Sequence, residues 1–285
     1  MDSAPPPPAP TSPTTKLPVG AWDTHVHLLG GPEHDLSPTR AQNPPKGIDF
    51  DGWLTRFRAH LDALGCTHSL IVHSILYGTD NTVTLEAVRA MGKGFKGVGL
   101  LPDGAATRDI KHFADNNLVA VRLNYVHGGV LTWDGAKAMA PALADHGMHI
   151  QMLLHADQHI EELADDIRAL PVPLVIDHCG WPTNFDAHTP AIDALCALLA
   201  EGHVHIKLSA PYRLTDDAEQ TNTLVRRLID ANPDACLWGS DWPHIMLNGA
   251  QMPQAATLAD ELTVITTKEE QQKIFVDTPT RLFTP

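Results

Sequence analysis

The first apolar segment of the chain is the stretch WDTHVHL at residues 22–28, from which both the fold and a candidate site can be developed. Its composition predicts a β-strand, in which successive side chains point to opposite faces. His25 and His27 therefore share one face with Asp23, while Val26 faces away. Two imidazoles on one rigid strand supply half of a metal site or a pair of proton-transfer groups. Because the chain has 17 histidines, an accidental pair is the alternative.

Segments rich in apolar and β-branched residues recur after this strand and alternate with helical patterns. About eight such repeats predict an α/β fold, a single-domain (β/α)8 TIM barrel with a parallel sheet. An open doubly wound sheet is the alternative, but residues 29–32 lack the G-x-G-x-x-G spacing typical of it. The predicted strands cover residues 22–28, 67–74, 95–101, 118–125, 149–155, 174–180, 204–210 and 236–241. The predicted helices cover residues 50–64, 82–91, 107–116, 133–146, 158–169, 191–200, 217–230 and 268–282. Several of them open with residues typical of helix caps, such as Thr107 and Asp217.

The N-terminal segment differs in composition from the rest of the chain. Residues 1–18 are rich in Pro, Ser and Thr and have little to bury, so we expect an extended, disordered tail. Residues 19–285 are assigned to the barrel. The long polar segment 29–49 follows the first strand, and we expect it to lie over the face on which barrel active sites form.

Composition narrows the range of functions. The 285 residues are 43% hydrophobic and carry a formal net charge of −14, which argues against nucleic-acid and membrane-surface partners. The four cysteines show no C-x-x-C spacing, and we expect reduced thiols in a cytoplasmic protein. The sequence has neither a stretch of roughly 18 apolar residues nor the features of a signal peptide. An anionic substrate would need locally placed arginines.

Polar residues occur near the ends of the predicted strands, which converge at one mouth of a barrel. His25, His27, His178 and Asp241 form the candidate core set, and His155 is a candidate additional metal ligand. Imidazole and carboxylate groups suit one zinc ion, and an Asp at the mouth can act as general base. A satisfied core polar group is the alternative for each residue taken alone. Other polar residues near strand ends are Arg122, Asn124, Tyr125, Asp177, Lys207, Ser209, Arg213, Ser240 and His244.

Two neighbouring features are interpreted as structural. Asp177 adjoins His178 on the strand and is expected to face away from the pocket. The pair His203 and His205 lies at the start of the seventh strand, at the opposite end of the barrel.

Three motifs resemble the amidohydrolase superfamily, and more narrowly its branch of 2-pyrone-4,6-dicarboxylate lactonases and 4-sulfomuconolactone hydrolases. They are DTHVH at 23–27, IDHCG at 176–180 and WGSDWPH at 238–244, the last being specific for this branch. The likeness runs from the first strand to the C-terminus. Supporting stretches are residues 77–81, 121–124 and 207–214.

The resemblance implies a lactonase, a hydrolase of aromatic-compound degradation that opens the ring of a small anionic lactone. It implies that Asp241 deprotonates the attacking water, with His25, His27 and His178 in the catalytic set. It implies Arg122 and Arg213 as anchors for the anionic groups of the substrate, a role that suits the planar guanidinium. The complete set of predicted substrate-binding residues is Arg122, Arg213, Asn124, Tyr125, Tyr77 and His244.

The chain departs from the pyrone-dicarboxylate lactonases around the substrate. It has Gln42 and Leu153 where they carry Tyr, Ile75 where they carry Ser, and His-Gly at 127–128 where they carry a basic pair. Ser74, one residue from the expected Ser, should face the other way. A related lactone is therefore expected, such as a muconolactone, a sulfomuconolactone or a sugar-acid lactone.

Several alternatives stay open from the sequence. The Lys that bridges two metals in binuclear relatives is absent, and Arg122 occupies that strand. One divalent ion is therefore expected rather than two. A metal-free reaction is the alternative, and the presence of His155 favours the metal. A metal-dependent decarboxylase of an aromatic or muconate-type acid and a sugar-acid lactone isomerase are the enzymatic alternatives. A non-enzymatic binding barrel with a proline-rich docking tail is the rival outside enzymes. A monomer and a homo-oligomer are both compatible with the sequence.

Overall fold

The computed structural model describes residues 3–184, 186–247 and 252–284. Eight parallel strands form one sheet in chain order, each hydrogen-bonded to the next. The first and last segments also meet: His27 N donates to Trp242 O, and Asp241 N donates to His25 O, both at 2.8 Å. The sheet thus closes on itself, which confirms the predicted (β/α)8 barrel rather than an open sheet.

Strands and helices alternate as predicted, with shorter strands. The strands are β1 (Trp22–Val26), β2 (His68–Val72), β3 (Phe95–Gly99), β4 (Leu118–Asn124), β5 (His149–Leu153), β6 (Leu174–Ile176), β7 (Val204–Ser209) and β8 (Cys236–Gly239). The helices are α1 (Phe50–Leu64), α2 (Thr82–Met91), α3 (Thr107–Asp115), α4 (Trp133–Ala144), α5 (Ala156–Arg168), α6 (Pro190–Ala200), α7 (Ala218–Ala231), α8 (Ala255–Val264), α9 (Lys268–Gln272) and α10 (Thr278–Phe283). Helix α8 was not predicted, and the closing helix is divided into α9, a π-helical turn and α10.

Side chains at the helix ends explain where several helices begin. The Asp217 carboxylate accepts from the backbone N–H groups of Glu219 and Gln220, which confirms its predicted role as the cap of α7. Thr107, predicted as a cap, is instead the first residue of α3. There the Asp109 carboxylate accepts from Ala106 N at 3.1 Å.

An irregularity in β1 corrects the expected position of Asp23. The register of β1 against β2 shifts between Asp23 and Val26, so strict alternation fails there. The Asp23 carboxylate accepts from Ser240 Oγ at 2.6 Å and lies 2.9 Å from His60 Nε2 of α1. Asp23 therefore ties the barrel to its outer helix and does not share the face of His25.

Aromatic rings close the bottom of the barrel. Phe283 of α10 lies 5.5 Å, between ring centroids, from both Trp22 and His149. The Trp22 indole N–H donates to Thr280 Oγ1 at 3.1 Å. His205 is also buried, and burial lowers its pKa to about 4, in agreement with its predicted structural role. The C-terminal helix thus completes the core beneath the sheet.

The proline-rich N-terminal segment lies against the barrel over the residues that the structure describes. Thr14 N and Thr15 N donate to the Asp260 carboxylate of α8 at 2.8 and 3.0 Å, and Ala4 N donates to Asn43 O at 2.9 Å. These bonds give an extended segment a defined path without a core of its own. The division of the chain after residue 18 stays a prediction.

Two further expectations concern the surroundings of the protein. No helix in the described ranges is both long and apolar enough to cross a bilayer. Cys66, Cys179 and Cys236 are buried free thiols, and Cys196 is a half-buried one.

His149 makes the stability of the barrel sensitive to acid. Burial lowers its pKa to about 3, whereas an unfolded chain takes up this proton near pH 6.5. The stability contributed by neutral His149 is therefore present above about pH 6.5 and is lost as the pH falls towards 3. We expect His149→Met to flatten the acid slope of the unfolding free energy by up to about 1.4 kcal/mol per pH unit. Urea unfolding at pH 4 to 7 measures this slope.

The matched control is His112→Met on the exposed face of α3. Its side chain is solvated in both states, so the acid slope should stay as in the parent protein. Equal slopes for His149→Met and the parent would contradict the expectation.

Candidate active site

A cavity of about 500 Å³ opens at the carboxyl ends of the strands. This is the end at which barrel enzymes place their chemistry. His27, His178 and Asp241 line it, and His25 lies fully buried beside them. The structure therefore brings together the core set expected from the sequence, contributed by the first, sixth and eighth strand ends.

The rings of His25 and His27 lie close together and nearly perpendicular to each other. Their Nε2 atoms are 3.2 Å apart, and they lie 3.8 and 3.6 Å from Asp241 Oδ1, respectively. His27 Nδ1 lies 2.9 Å from Val72 O, which can only accept a hydrogen bond. This assigns the proton of neutral His27 to Nδ1 and leaves the Nε2 lone pair directed at the cluster.

His178 enters the pocket from a tight turn after β6. Both His178 and Cys179 have positive φ, 52° and 54°, so the chain turns sharply inward at this point. The imidazole of His178 lies 4.7 Å from that of His25, and its Nδ1 is 2.8 Å from Ser209 Oγ. Burial lowers the pKa of His178 to about 4, which keeps the ring neutral at pH 7.

Asp241 presents its two oxygens to different partners. Oδ2 accepts from Tyr212 Oη at 2.7 Å and from Arg213 Nε at 2.8 Å, while Oδ1 faces the histidines. Burial by itself raises the pKa of this carboxyl, but the Arg213 charge and the neighbouring histidines together outweigh burial and hold the pKa well below its usual range. Asp241 is therefore ionised, and its orientation is fixed.

The residues fit a single metal ion. Ligand atoms of His25, His178 and Asp241 all lie within 4.8 Å of one another, and all three residues are buried. The separation of 3.2 Å between the Nε2 atoms of His25 and His27 is close to the ~3.3 Å that two imidazoles span on a tetrahedral zinc. His155 lies outside this cluster, because its Nδ1 is 2.7 Å from Trp181 O and its ring stacks on His159.

A layer of buried charged and polar groups lies under His25. Asp177, expected to face away, instead points inward, with Oδ1 at 3.3 Å from His25 Nδ1, because β6 ends at Ile176 and alternation ends with it. Lys207 Nζ lies 3.3 Å from His25 Nδ1 and 3.5 Å from Asp177, and it donates to Gln151 Oε1 at 2.7 Å.

The buried charges of this layer are stabilised because they are paired with each other. Burial lowers the pKa of Lys207 to about 8, although the neighbouring Asp177 raises it. For Asp177, burial has the opposite effect and raises the pKa. The neighbouring His25 and Lys207 nevertheless hold the pKa of Asp177 well below its usual value. This layer could have been predicted from Lys207 and Gln151, since each is a polar residue inside an otherwise apolar strand.

The two predicted arginines have different surroundings. Arg213 Nε is bonded to Asp241 and its Nη2 donates to Ile245 O at 2.7 Å, so much of its fork is committed to the protein. Arg122 lines the cavity and donates through Nη1 to His73 O at 2.7 Å. Its buried Nε has no partner among the described residues.

Of the other predicted substrate-binding residues, some line the cavity and others are bonded to the surrounding protein. Asn124 lines the cavity, as expected. Tyr125, one residue further, packs on His159 at 4.9 Å between ring centroids, since adjacent strand positions face opposite sides. The Tyr77 hydroxyl accepts from Gly30 N at 2.6 Å, and His244 Nδ1 lies 3.2 Å from Tyr212 Oη. Tyr125 and His244 thus lie behind the cavity wall.

Loops supply the rest of the wall. Ser74 and Ile75 both line the cavity, contrary to the expectation for Ser74, because β2 ends at Val72 and the chain turns there. Gln42 Oε1 accepts from Met246 N at 2.9 Å, so the segment 29–49 reaches the mouth as expected. The sequence did not single out Trp181 or Tyr212, which also line the cavity.

This arrangement is that of a TIM-barrel enzyme with its chemistry at the carboxyl ends of the strands. A family model described as amidohydrolase matches residues 22–284, and the chain belongs to that family. The recognition made from the three motifs is thereby confirmed.

Known relatives agree with this assignment. The chain is 31% identical to a 2-pyrone-4,6-dicarboxylate hydrolase of Comamonas testosteroni, over 97% of this chain and 94% of the relative. It is 30% identical to a 4-sulfomuconolactone hydrolase of Hydrogenophaga intermedia, over 94% and 89% of the two chains. The fold matches a probable 2-pyrone-4,6-dicarboxylic acid hydrolase of Acinetobacter baumannii, solved with citric acid bound, with a TM-score of 0.80 at 20% identity, covering 93% and 99%.

Gly239 permits the close approach of β8 to His25. A Cβ at this position would lie 2.6 Å from His25 Cβ and 2.8 Å from His25 N, closer than such atoms can approach. We expect Gly239→Ala to destabilise the fold by about 1–3 kcal/mol, as overpacking does in other cores. Thermal unfolding measures the loss. Gly129→Ala is the control, since a Cβ there meets nothing within 4 Å. Equal stability of the two variants would contradict the expected clash.

Proposed function

We propose that the protein is a lactonase that opens the ring ester of a small anionic lactone with a water activated by Asp241. The observation that carries the proposal is the orientation of this carboxylate. Its Oδ2 is held by Tyr212 and Arg213, and its Oδ1 is turned towards His25 and His27 at the floor of an open cavity. The two relatives named as lactone hydrolases, each at least 30% identical to the chain, support the same reaction class.

The residues of the site account for each proton in the reaction. Asp241 Oδ1 accepts a proton from water as the water oxygen bonds to the lactone carbonyl carbon. Because the Arg213 charge keeps the carboxylate a weak base, proton transfer becomes favourable only as that bond forms. When the ring C–O bond breaks, the carboxyl returns the proton to the departing alkoxide. One water is consumed, and a hydroxy acid is released.

A divalent ion, zinc by the chemistry of the ligands, would be held by His25, His27, His178 and Asp241. When bound it would polarise the lactone carbonyl and make water more acidic. The layer beneath supports this ligand set, since Asp177 Oδ1 lies 3.3 Å from His25 Nδ1 and can orient the ring. His155, which lies on Trp181 and His159, is omitted from the proposed ligand set.

Arg122 is the proposed anchor for the substrate's acid group. Its guanidinium lines the cavity and donates one described hydrogen bond, to His73 O. An acidic protein of net charge −14 needs such a local cation to attract an anion. Arg213, predicted as a second anchor, is proposed instead as a positioning residue for Asp241.

A cytoplasmic location is the remaining proposal. Three buried free thiols, at 66, 179 and 236, are the state that a reducing compartment maintains.

Asp241→Asn tests the general base. An amide cannot accept the proton, so hydrolysis of a muconolactone-type substrate should fall by at least about 10²–10⁴-fold with an unchanged circular-dichroism spectrum. Incorporation of ¹⁸O from solvent into the product of the parent enzyme checks that water is consumed, as an isomerase would not require. Asp157→Asn is the matched control, because this carboxylate lies in the first turn of α5 and accepts from Thr183 away from the cluster. Full activity in Asp241→Asn would refute the assignment.

The metal content of variants tests whether His25 or His155 belongs to the ligand set. We expect one divalent ion per chain in purified protein, lost on His25→Asn and retained on His155→Asn. Of these two histidines, His25 has a ring nitrogen near His178 and Asp241 in the proposed ligand set, and His155 does not. Elemental analysis of the folded variants measures this without recourse to activity. Retention of the ion in His25→Asn, or its loss in His155→Asn alone, would overturn the proposed ligand set.

A further inference from the structure

A second cavity adjoins the candidate active site. It has a volume of about 440 Å³ and shares Ile75, Arg122 and Asn124 with the main cavity. We call it the side cavity. Each volume lies in the range of about 300–1,000 Å³ that small-molecule sites occupy. The His/Asp cluster borders the main cavity alone, so the side cavity holds space without reacting groups.

One part of the side-cavity wall is apolar and is formed by Pro38, Leu100, Val130 and Leu131. Ser37, Thr39 and Thr79 contribute hydroxyl groups elsewhere, and Arg122 is the charged residue among the described lining. His73 also lines the side cavity. Burial lowers the pKa of His73 to about 4, so its imidazole is neutral at pH 7. A cavity of this character favours a hydrocarbon group over a second anion.

Exposed apolar side chains mark the same region. Four large hydrophobic residues of the described chain are strongly exposed, and two of them, Ile75 at 42% and Val130 at 40%, line the side cavity. Keeping such groups in water is unfavourable, and their exposure beside a reactive pocket is typical of a surface that a ligand covers.

Arg122 stands where the two cavities meet. The residue is more than nine-tenths buried, and its Nε lacks a partner among the described residues. Arg122 Nη2 lies 4.0 Å from Asp177 Oδ2, at the outer limit of an ion pair, whereas Arg213 is bonded directly to Asp241 and Ile245. Arg122 is therefore the arginine with donors left for a substrate anion. One available guanidinium between two cavities matches one negative charge on a ligand that extends to both sides of it.

Resting on the lactonase activity proposed above, we propose that the substrate is a lactone monoanion with an apolar substituent. Its ring lies in the main cavity near Asp241, its carboxylate binds Arg122, and its substituent occupies the side cavity. This substrate class differs from the dicarboxylate and the sulfonated lactone in the names of the relatives, and the exposed side chains of Ile75 and Val130 are what favour it here.

Two probes test the proposal: muconolactone, and muconolactone bearing a four-carbon alkyl chain on its ring. For the parent enzyme, KM should be at least about tenfold lower for the alkylated probe. Val130→Trp, which fills the side cavity, should raise KM for the alkylated probe about tenfold and leave that of muconolactone unchanged. Val264→Trp, at the exposed end of α8, is the matched control and should alter neither value.

A second variant guards against misfolding of the first. Thr79→Phe narrows the side cavity from another part of its wall and should have the same selective effect. Equal KM values for the two probes in the parent enzyme, or an equal rise for both probes in Val130→Trp, would overturn the proposal.

Failure of the lactonase assignment is detected separately. If neither probe is opened, calorimetry with the Asp241→Asn variant still measures how tightly each binds. Tighter binding of the alkylated probe, abolished by adding Val130→Trp, would support the side-cavity site while the proposed reaction fails. Equal affinities for the two probes would overturn the side-cavity site as well.

Discussion

The ion pair between Asp241 and Arg213 is the interaction on which the site depends. Their side chains are 4% and 16% exposed, and two charges so far from water are stable only when paired. The pair joins the loop after β7 to the loop after β8, and Tyr212 adds a further bond to the same oxygen. One carboxylate oxygen is thereby anchored in the protein, and the other is free to face His25. Loop conformation and chemistry are fixed by the same contact.

The same rule governs the layer below. Asp177, Lys207 and Gln151 are inaccessible to solvent, and each finds a partner in the others or in His25. Their positions come from β5, the end of β6 and β7, so the support for His25 rests on rigid strands. The site is therefore held from beneath by strands and from the side by a loop ion pair, while its open wall carries Arg122 and apolar residues.

Much of this could be predicted from sequence, for reasons that topology explains. Parallel strands alternating with helices converge at one end, so His25, His178 and Asp241 had to meet once the barrel was recognised. The errors fall where the alternation of strand side chains ends. Asp23 lies at a register shift and Asp177 follows the last residue of its strand, so a rule of period two could place neither. The partner of an arginine on a loop, or the path of residues 3–18, depends on tertiary contacts that no local pattern encodes.

The edge-to-face packing of Phe283 against Trp22 has a consequence for synthesis in the cell. The strand that contains Trp22 leaves the ribosome long before α10, which covers its ring. The neighbouring edge of β1 is likewise completed only by β8. A nascent chain therefore carries an uncovered edge of β1 until β8 and α10 have emerged, and the barrel can close only then.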